Sequence, residues 1–121
     1  MANPIVHWEI TGSDGKPLHE FYSQMFDWNI DANNPYDYGM VNTKVEGGVN
    51  GGISGSPNGN LVTIYVQVED LQAALDKAES LGGKTVMPPM DIPGAVSMAQ
   101  FSDPQGNVIG LVKENSMVTG Q

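Results

Sequence analysis

His7 and Glu9 stand two residues apart in Val6-His7-Trp8-Glu9-Ile10, a segment in which apolar and polar side chains alternate. Alternation with a period of two marks a strand buried on one face, so the imidazole and the carboxylate project from the same polar face. They make an acid–base pair: a carboxylate beside an imidazole favours imidazolium and moves its titration toward neutrality. General acid–base catalysis needs a group tuned in this way within hydrogen-bond reach of a substrate. The plainer role is structural, with His7 bonded to Glu9 or to a neighbouring strand. The other histidine, His19, lies beside Glu20 on the polar side of a helical segment and reads as a solvated surface residue.

The rest of the composition removes several chemistries. There is no cysteine, which excludes disulfide scaffolds, thiolate zinc sites and cysteine nucleophiles. Five Lys+Arg stand against fourteen Asp+Glu, a formal net charge of −9, and the lysines are scattered at positions 16, 44, 77, 84 and 113. Neutralising phosphates takes clustered cations, so nucleic acid and anionic membrane surfaces are excluded as partners, while a cationic or neutral small ligand is allowed. No apolar run approaches the ~20 residues that span a bilayer, and no basic, then apolar, leader opens the chain. The expectation is a cytoplasmic protein. Gly47-Gly48-Val49-Asn50-Gly51-Gly52 lacks the Lys-Ser/Thr ending of a phosphate loop and opens no helix; it reads as a flexible strand–turn–strand element.

Two strand–helix pairs must position these residues. Val6, Trp8 and Ile10 precede a helix with Leu18, Phe21, Tyr22, Met25 and Phe26 on one face, capped by Ser13 or Asp14 with Pro17 in its first turn. Val62, Ile64 and Val66, alternating with Thr63, Tyr65 and Gln67, precede a second helix capped by Asp70. Its stripe is Leu71, Ala74, Leu75, Ala78 and Leu81, and it ends at Gly82-Gly83. An offset of 56 residues, His7 to Thr63, holds through strand, cap and stripe. Three strands follow each helix. The first set begins at Trp28 and continues over 36–43 and 45–54. The second covers 84–87, 96–102 and 107–113, with a Pro-rich loop at 88–94 that extends toward Ala95 as a lid and a turn at Asp103-Pro104-Gln105-Gly106. The pattern predicts an α+β fold, a single domain over 1–114 made of two βαβββ modules at about 4–55 and 61–113. A tail at 115–121 is expected to fray.

In this arrangement the chain resembles the vicinal-oxygen-chelate superfamily of glyoxalases, bleomycin-resistance proteins and extradiol dioxygenases. The resemblance rests on His7-Trp8-Glu9-Ile10, Phe21-Tyr22 with Phe26-Asp27-Trp28, Val68-Glu69-Asp70-Leu71 and Leu81-Gly82-Gly83-Lys84. It extends to Phe101-Ser102-Asp103-Pro104-Gln105-Gly106-Asn107, running into Ile109-Gly110-Leu111. It implies curled mixed sheets around a cleft, helices outside, and a homodimer. For metal-dependent members it implies one ligand on the first and one on the fourth strand of each half, commonly His and Glu, able to polarise a substrate oxygen.

Of those four positions only His7 carries a ligand. Its counterpart is Thr63, and the fourth-strand stretches, Asn50 to Gly55 and Gly106 to Val112, hold no Asp, Glu or His. No metal ligand set is assigned and no cofactor is expected, a divalent metal being disfavoured. The resemblance turns the polar faces toward a ligand and makes Thr63, Tyr65, Gln67, Trp28 and Phe101 candidate contacts, with His7 and Glu9 as candidate catalytic residues. Three functions remain open. One is a metal-free small-molecule-binding protein for a cationic or aromatic ligand. Another is a glyoxalase-like lyase or isomerase, metal-dependent or using His7 and Glu9. The third is a structural or interaction module whose cleft is vestigial.

Overall fold

The computed structural model describes residues 2–57, 59–94 and 96–113; the 115–121 tail and Ala95 lie outside the described residues. Contacts divide the chain into two compact units, one over 7–63 and the other from 64 onward together with the first six residues.

The first unit takes most of β1 (Ile5–Gly12), then α1 (Gly15–Phe26), β2 (Asn29–Asp31), β3 (Gly39–Asn42) and β4 (Gly51–Gly55). The second takes β5 (Leu61–Val68), apart from its first residues, then α2 (Leu71–Ser80), β6 (Lys84–Asp91), β7 (Ser97–Ser102) and β8 (Val108–Lys113). Strand order is β2-β3-β4-β1 in one and β5-β8-β7-β6 in the other. In each, the strand before the helix pairs parallel with the last strand of the unit, and the other pairings are antiparallel. The fold is α+β with mixed sheets, and the same βαβββ connectivity occurs twice.

Local chemistry explains the helix ends. The Asp14 carboxylate accepts from Lys16 N at 3.3 Å, and Asp70 accepts from Ala73 N at 3.0 Å, satisfying N–H groups that a first helical turn leaves open. α2 closes in a Schellman motif: Gly83 N donates to Ala78 O and Gly82 N to Glu79 O, with Gly82 at φ 100°. The turn before β8 is held by Asp103, whose carboxylate accepts from Gln105 N, Asn107 N and the Asn107 side chain. These bonds, the Asn107 side chain first, keep its carboxyl below the usual range.

The second unit has the dense core. Leu71, Leu75, Ala99 and Leu111 are buried, and Val66, Val68, Ala74 and Phe101 pack around them. The helix covers β5 from Val66 onward because ten residues span only about 15 Å. Val62 and Ile64, expected beneath it, lie beyond its reach, and Val62 is 73% exposed. The polar-face residues Thr63 and Tyr65 are the buried ones, each 2% exposed.

α1 differs more sharply from expectation. No residue on it is buried, and Phe21, Met25 and Phe26 are at least half exposed, Met25 at 61%. Leu18 and Tyr22 alone of the stripe are half-buried. His19, expected in solvent, is half-buried: its Nε2–H donates to Ile53 O on β4 at 2.6 Å. The expected loop at 88–94 is also corrected. β6 continues to Asp91, with register irregularities between Thr85 and Met87 and between Met87 and Met90. Prolines 88 and 89 fall in that irregular stretch, on an edge strand where a missing N–H costs little.

The contrast between the helices is measurable. Leu75→Ala should cost about 2–5 kcal/mol of unfolding free energy, whereas Met25→Ala, on the exposed side of α1, should cost under about 1 kcal/mol. Urea denaturation followed by circular dichroism checks both.

Candidate functional site

His7, Glu9 and Thr11 share one face of β1, and Trp8, Ile10 and Gly12 share the other, the face on which α1 lies. On the helix side the Trp8 indole packs against Trp28 at 5.3 Å between ring centroids, and Trp28 continues to Tyr22 and Phe26. The Trp8 Nε1–H donates to Val49 O. Trp28 therefore belongs to an aromatic cluster beneath α1 and does not join His7 and Glu9.

On the opposite face the His7 Nε2 lies 2.8 Å from the Tyr38 hydroxyl, the rings stacked at 6.3 Å. Either the Tyr38 O–H donates to Nε2, or the other tautomer's Nε2–H donates to the Tyr38 oxygen. His7 is thus paired with a phenol. Burial of the imidazole lowers its pKa, the reverse of the rise expected from a carboxylate neighbour.

Tyr38 reaches this place from the loop between β2 and β3. Asn34 and Pro35 open a turn closed by Asp37 N donating to Asn34 O, with Asp37 left-handed at φ 51°. The Asn34 side chain then grips Tyr38 on both backbone groups: Oδ1 accepts from Tyr38 N at 3.0 Å, and Nδ2 donates to Tyr38 O at 2.7 Å. Oδ1 also accepts from Tyr36 N. The hydroxyl comes to rest on Gly52 of β4, where a Cβ would occupy the same space. On the other face of that strand, a Cβ at Gly51 would run into the Trp8 indole. The glycine pair expected to be flexible is a strand whose two faces are given over to aromatic rings.

The second unit repeats the device. Tyr65 on β5 is in register with Gly110 on β8, and its ring covers the space a Gly110 side chain would fill. Gln100 Nε2 donates to the Tyr65 hydroxyl at 3.3 Å. Gln67 shares that face of β5 with Tyr65, and Thr63 lies on the same face of the strand. Phe101 does not: it packs with Ala99 and Leu111 on the side of α2. It also lines an open apolar groove of about 340 Å³ with Val66, Val68, Leu81 and Pro104.

Sequence reasoning placed His7 and Glu9 on one face and missed Asn34 and the link from Tyr38 to His7. The available signals were the Asn-Pro turn ahead of Tyr38 and a Gly-Gly pair inside a strand, which marks close approach by another group.

The sequence profile of the Glyoxalase/Bleomycin resistance protein/Dioxygenase superfamily matches residues 5–111. The chain belongs to this superfamily. The protein CFP32 of Mycobacterium bovis, provisionally named a glyoxylase, is 28% identical over 115 residues, which cover 88% of this chain. This chain spans only 44% of that relative's length. Among solved structures, the Mn(II)-bound glyoxalase of Novosphingobium aromaticivorans aligns at a TM-score of 0.63 and 14% identity, over 99% of this chain and 42% of that one. A variant of the Streptomyces coelicolor methylmalonyl-CoA epimerase, in complex with 2-nitronate-propionyl-CoA, aligns at 0.60 and 15%, over 96% of this chain and 100% of that one. At these identities the two structures share the fold.

The residues at the metal positions do not fit a divalent ion. His7 faces a phenol, Thr63 is a weak neutral donor, and Gly52 and Gly110 offer no side chain, with tyrosines filling the space above them. Among the described residues no three His, Asp or Glu side chains converge as a metal cluster.

The His7 environment sets a pH dependence. Its pKa is lower folded than the ordinary value near 6.5, so below that pH the unfolded chain takes up the proton more readily. The stability this group contributes is present above pH 6.5 and is lost as pH falls toward and through the folded value. Thermal melts at pH 7.5 and 5 should show a smaller loss of Tm on acidification in His7→Gln than in the parent protein.

Proposed function

We propose that this chain is a small-molecule-binding protein of its superfamily that works without a divalent metal. The observation that carries this reading is the pair of glycines on the last strand of each unit, Gly52 and Gly110, each covered by a tyrosine. A carboxylate ligand has no room to leave the strand at either position. Each unit offers contacts of its own: His7 and Glu9, with Thr63, in the first, and Tyr65 and Gln67 in the second. Trp28 and Phe101 serve the helix sides. An aromatic or cationic ligand suits a protein with a net charge of −9 and polar faces that carry a carboxylate and phenols.

A second reading, metal-free acid–base catalysis, is favoured by the His7–Tyr38 bond. A neutral imidazole and a phenol in contact can pass a proton in either direction. Here the geometry supplies Tyr38 as a partner of His7 within bonding distance.

Calorimetric titration with nickel, zinc and manganese tests the first reading. No tight uptake is expected, and a submicromolar affinity that vanishes in His7→Ala would show that ligands come from elsewhere.

We also infer a homodimer. Phe21, Met25 and Phe26 leave an apolar face on α1, and Met90 is also exposed, at 43%; a second copy closing a two-fold contact is the commonest way to cover such surface. Light scattering behind size exclusion should give the mass of two chains at micromolar concentration. The mass of one chain, unchanged on tenfold concentration, would refute it.

A further inference from the structure

One row of side chains crosses three strands of the first unit. Met40 on β3 is in register with Gly52 on β4, and Gly52 is in register with Glu9 on β1. Residues in register on neighbouring strands point to the same face and stand about 4.8 Å apart. The middle position has no side chain of its own, and the Tyr38 hydroxyl lies there instead. The row therefore reads thioether, phenol hydroxyl, carboxylate, with Met40 more than half exposed and Glu9 half-buried.

Each member selects a different group, and the order is fixed by the register. An exposed methionine is a polarizable apolar contact that suits an aromatic ring. A hydroxyl held against an imidazole can donate one bond and accept another, so it answers to a ligand hydroxyl in either sense. A carboxylate answers to an ammonium. The order puts the ligand's oxygen between its ring and its nitrogen, and groups on adjacent carbons are close enough to be met by side chains that converge from neighbouring strands.

Resting on the small-molecule-binding reading above, we propose that this face binds an aromatic amino alcohol whose hydroxyl lies between ring and ammonium, and that Tyr38 reads the hydroxyl. Asn34 is the positioning residue. It touches no ligand, but its two bonds to the Tyr38 backbone hold the phenol over Gly52 and against His7. Without that grip the phenol has no fixed station in the row, because Gly52 leaves the space open.

Three probes separate the contributions: 2-amino-1-phenylethanol carries ring, hydroxyl and ammonium, phenethylamine lacks the hydroxyl, and 1-phenylethanol lacks the ammonium. By calorimetry or ligand-observed NMR with the full chain, the amino alcohol should bind about three- to tenfold more tightly than either analogue, the worth of one hydrogen bond or one exposed ion pair. Tyr38→Phe should level amino alcohol and phenethylamine, and Glu9→Gln should level amino alcohol and 1-phenylethanol. Asn34→Ala should erode the hydroxyl preference and shift the His7 ring nitrogen resonances. Asn34→Asp, which keeps the acceptor for Tyr38 N and loses the donor to Tyr38 O, should restore only part of both. Those ring resonances report the Asn34 effect even where a variant loses affinity for every probe. If the parent protein binds all three probes alike, or Tyr38→Phe keeps the hydroxyl preference, the proposal is wrong and the binding reading stands. If the parent binds none of them, this ligand class is wrong at this face, and the metal titration still judges the binding reading separately.

Discussion

A side chain cannot leave a strand at a position that a tyrosine already covers, and this exclusion operates on the last strand of both units. At Gly52 the covering phenol arrives from a loop and is tied to His7; at Gly110 it comes from the neighbouring strand and is tied to Gln100. Two routes lead to one local arrangement. What each unit presents on that face follows from it: hydroxyls and an amide that give and take hydrogen bonds. The fold tolerates glycine at these positions because the ladder between β1 and β4, or β5 and β8, is made by backbone and needs no side chain.

The same economy of side chains explains why the two units are unevenly packed. Gly51 and Gly52 give both faces of β4 to aromatic rings, Trp8 on the helix side and Tyr38 opposite. Trp8, Tyr22 and Phe26 then gather around Trp28, with Tyr22 stacked on it and the other two rings tilted against it. Phe21 and Met25 of the apolar stripe of α1 stay at the surface. In the second unit, small and branched side chains, Leu71, Leu75, Ala99 and Leu111, pack α2 onto its sheet as a buried cluster.

Where a structural feature depends on local periodicity or turn chemistry, it was legible in the residues. The strand–helix pairs, the caps at Asp14 and Asp70, the Gly82-Gly83 stop and the Asp103 turn all stand where spacing puts them. Alternation also put His7 and Glu9 on one face correctly. What alternation could not say is how far a helix reaches, which is why Val62 and Ile64 lie open while Thr63 and Tyr65 are buried. Nor could it reveal the partner of His7, because Tyr38 is 31 residues away and its approach depends on a loop conformation. Pro88 and Pro89 read as a loop by composition, but an edge strand accommodates them through an irregular register.

The charge state of His7 connects these points. An imidazole beside a carboxylate would carry a proton and hold the carboxylate for itself. Here burial disfavours the cation, and a phenol provides a partner that needs no charge. The phenol can donate to a bare ring nitrogen or accept from its N–H, so the bond that sets Tyr38 over Gly52 does not depend on a charge at His7.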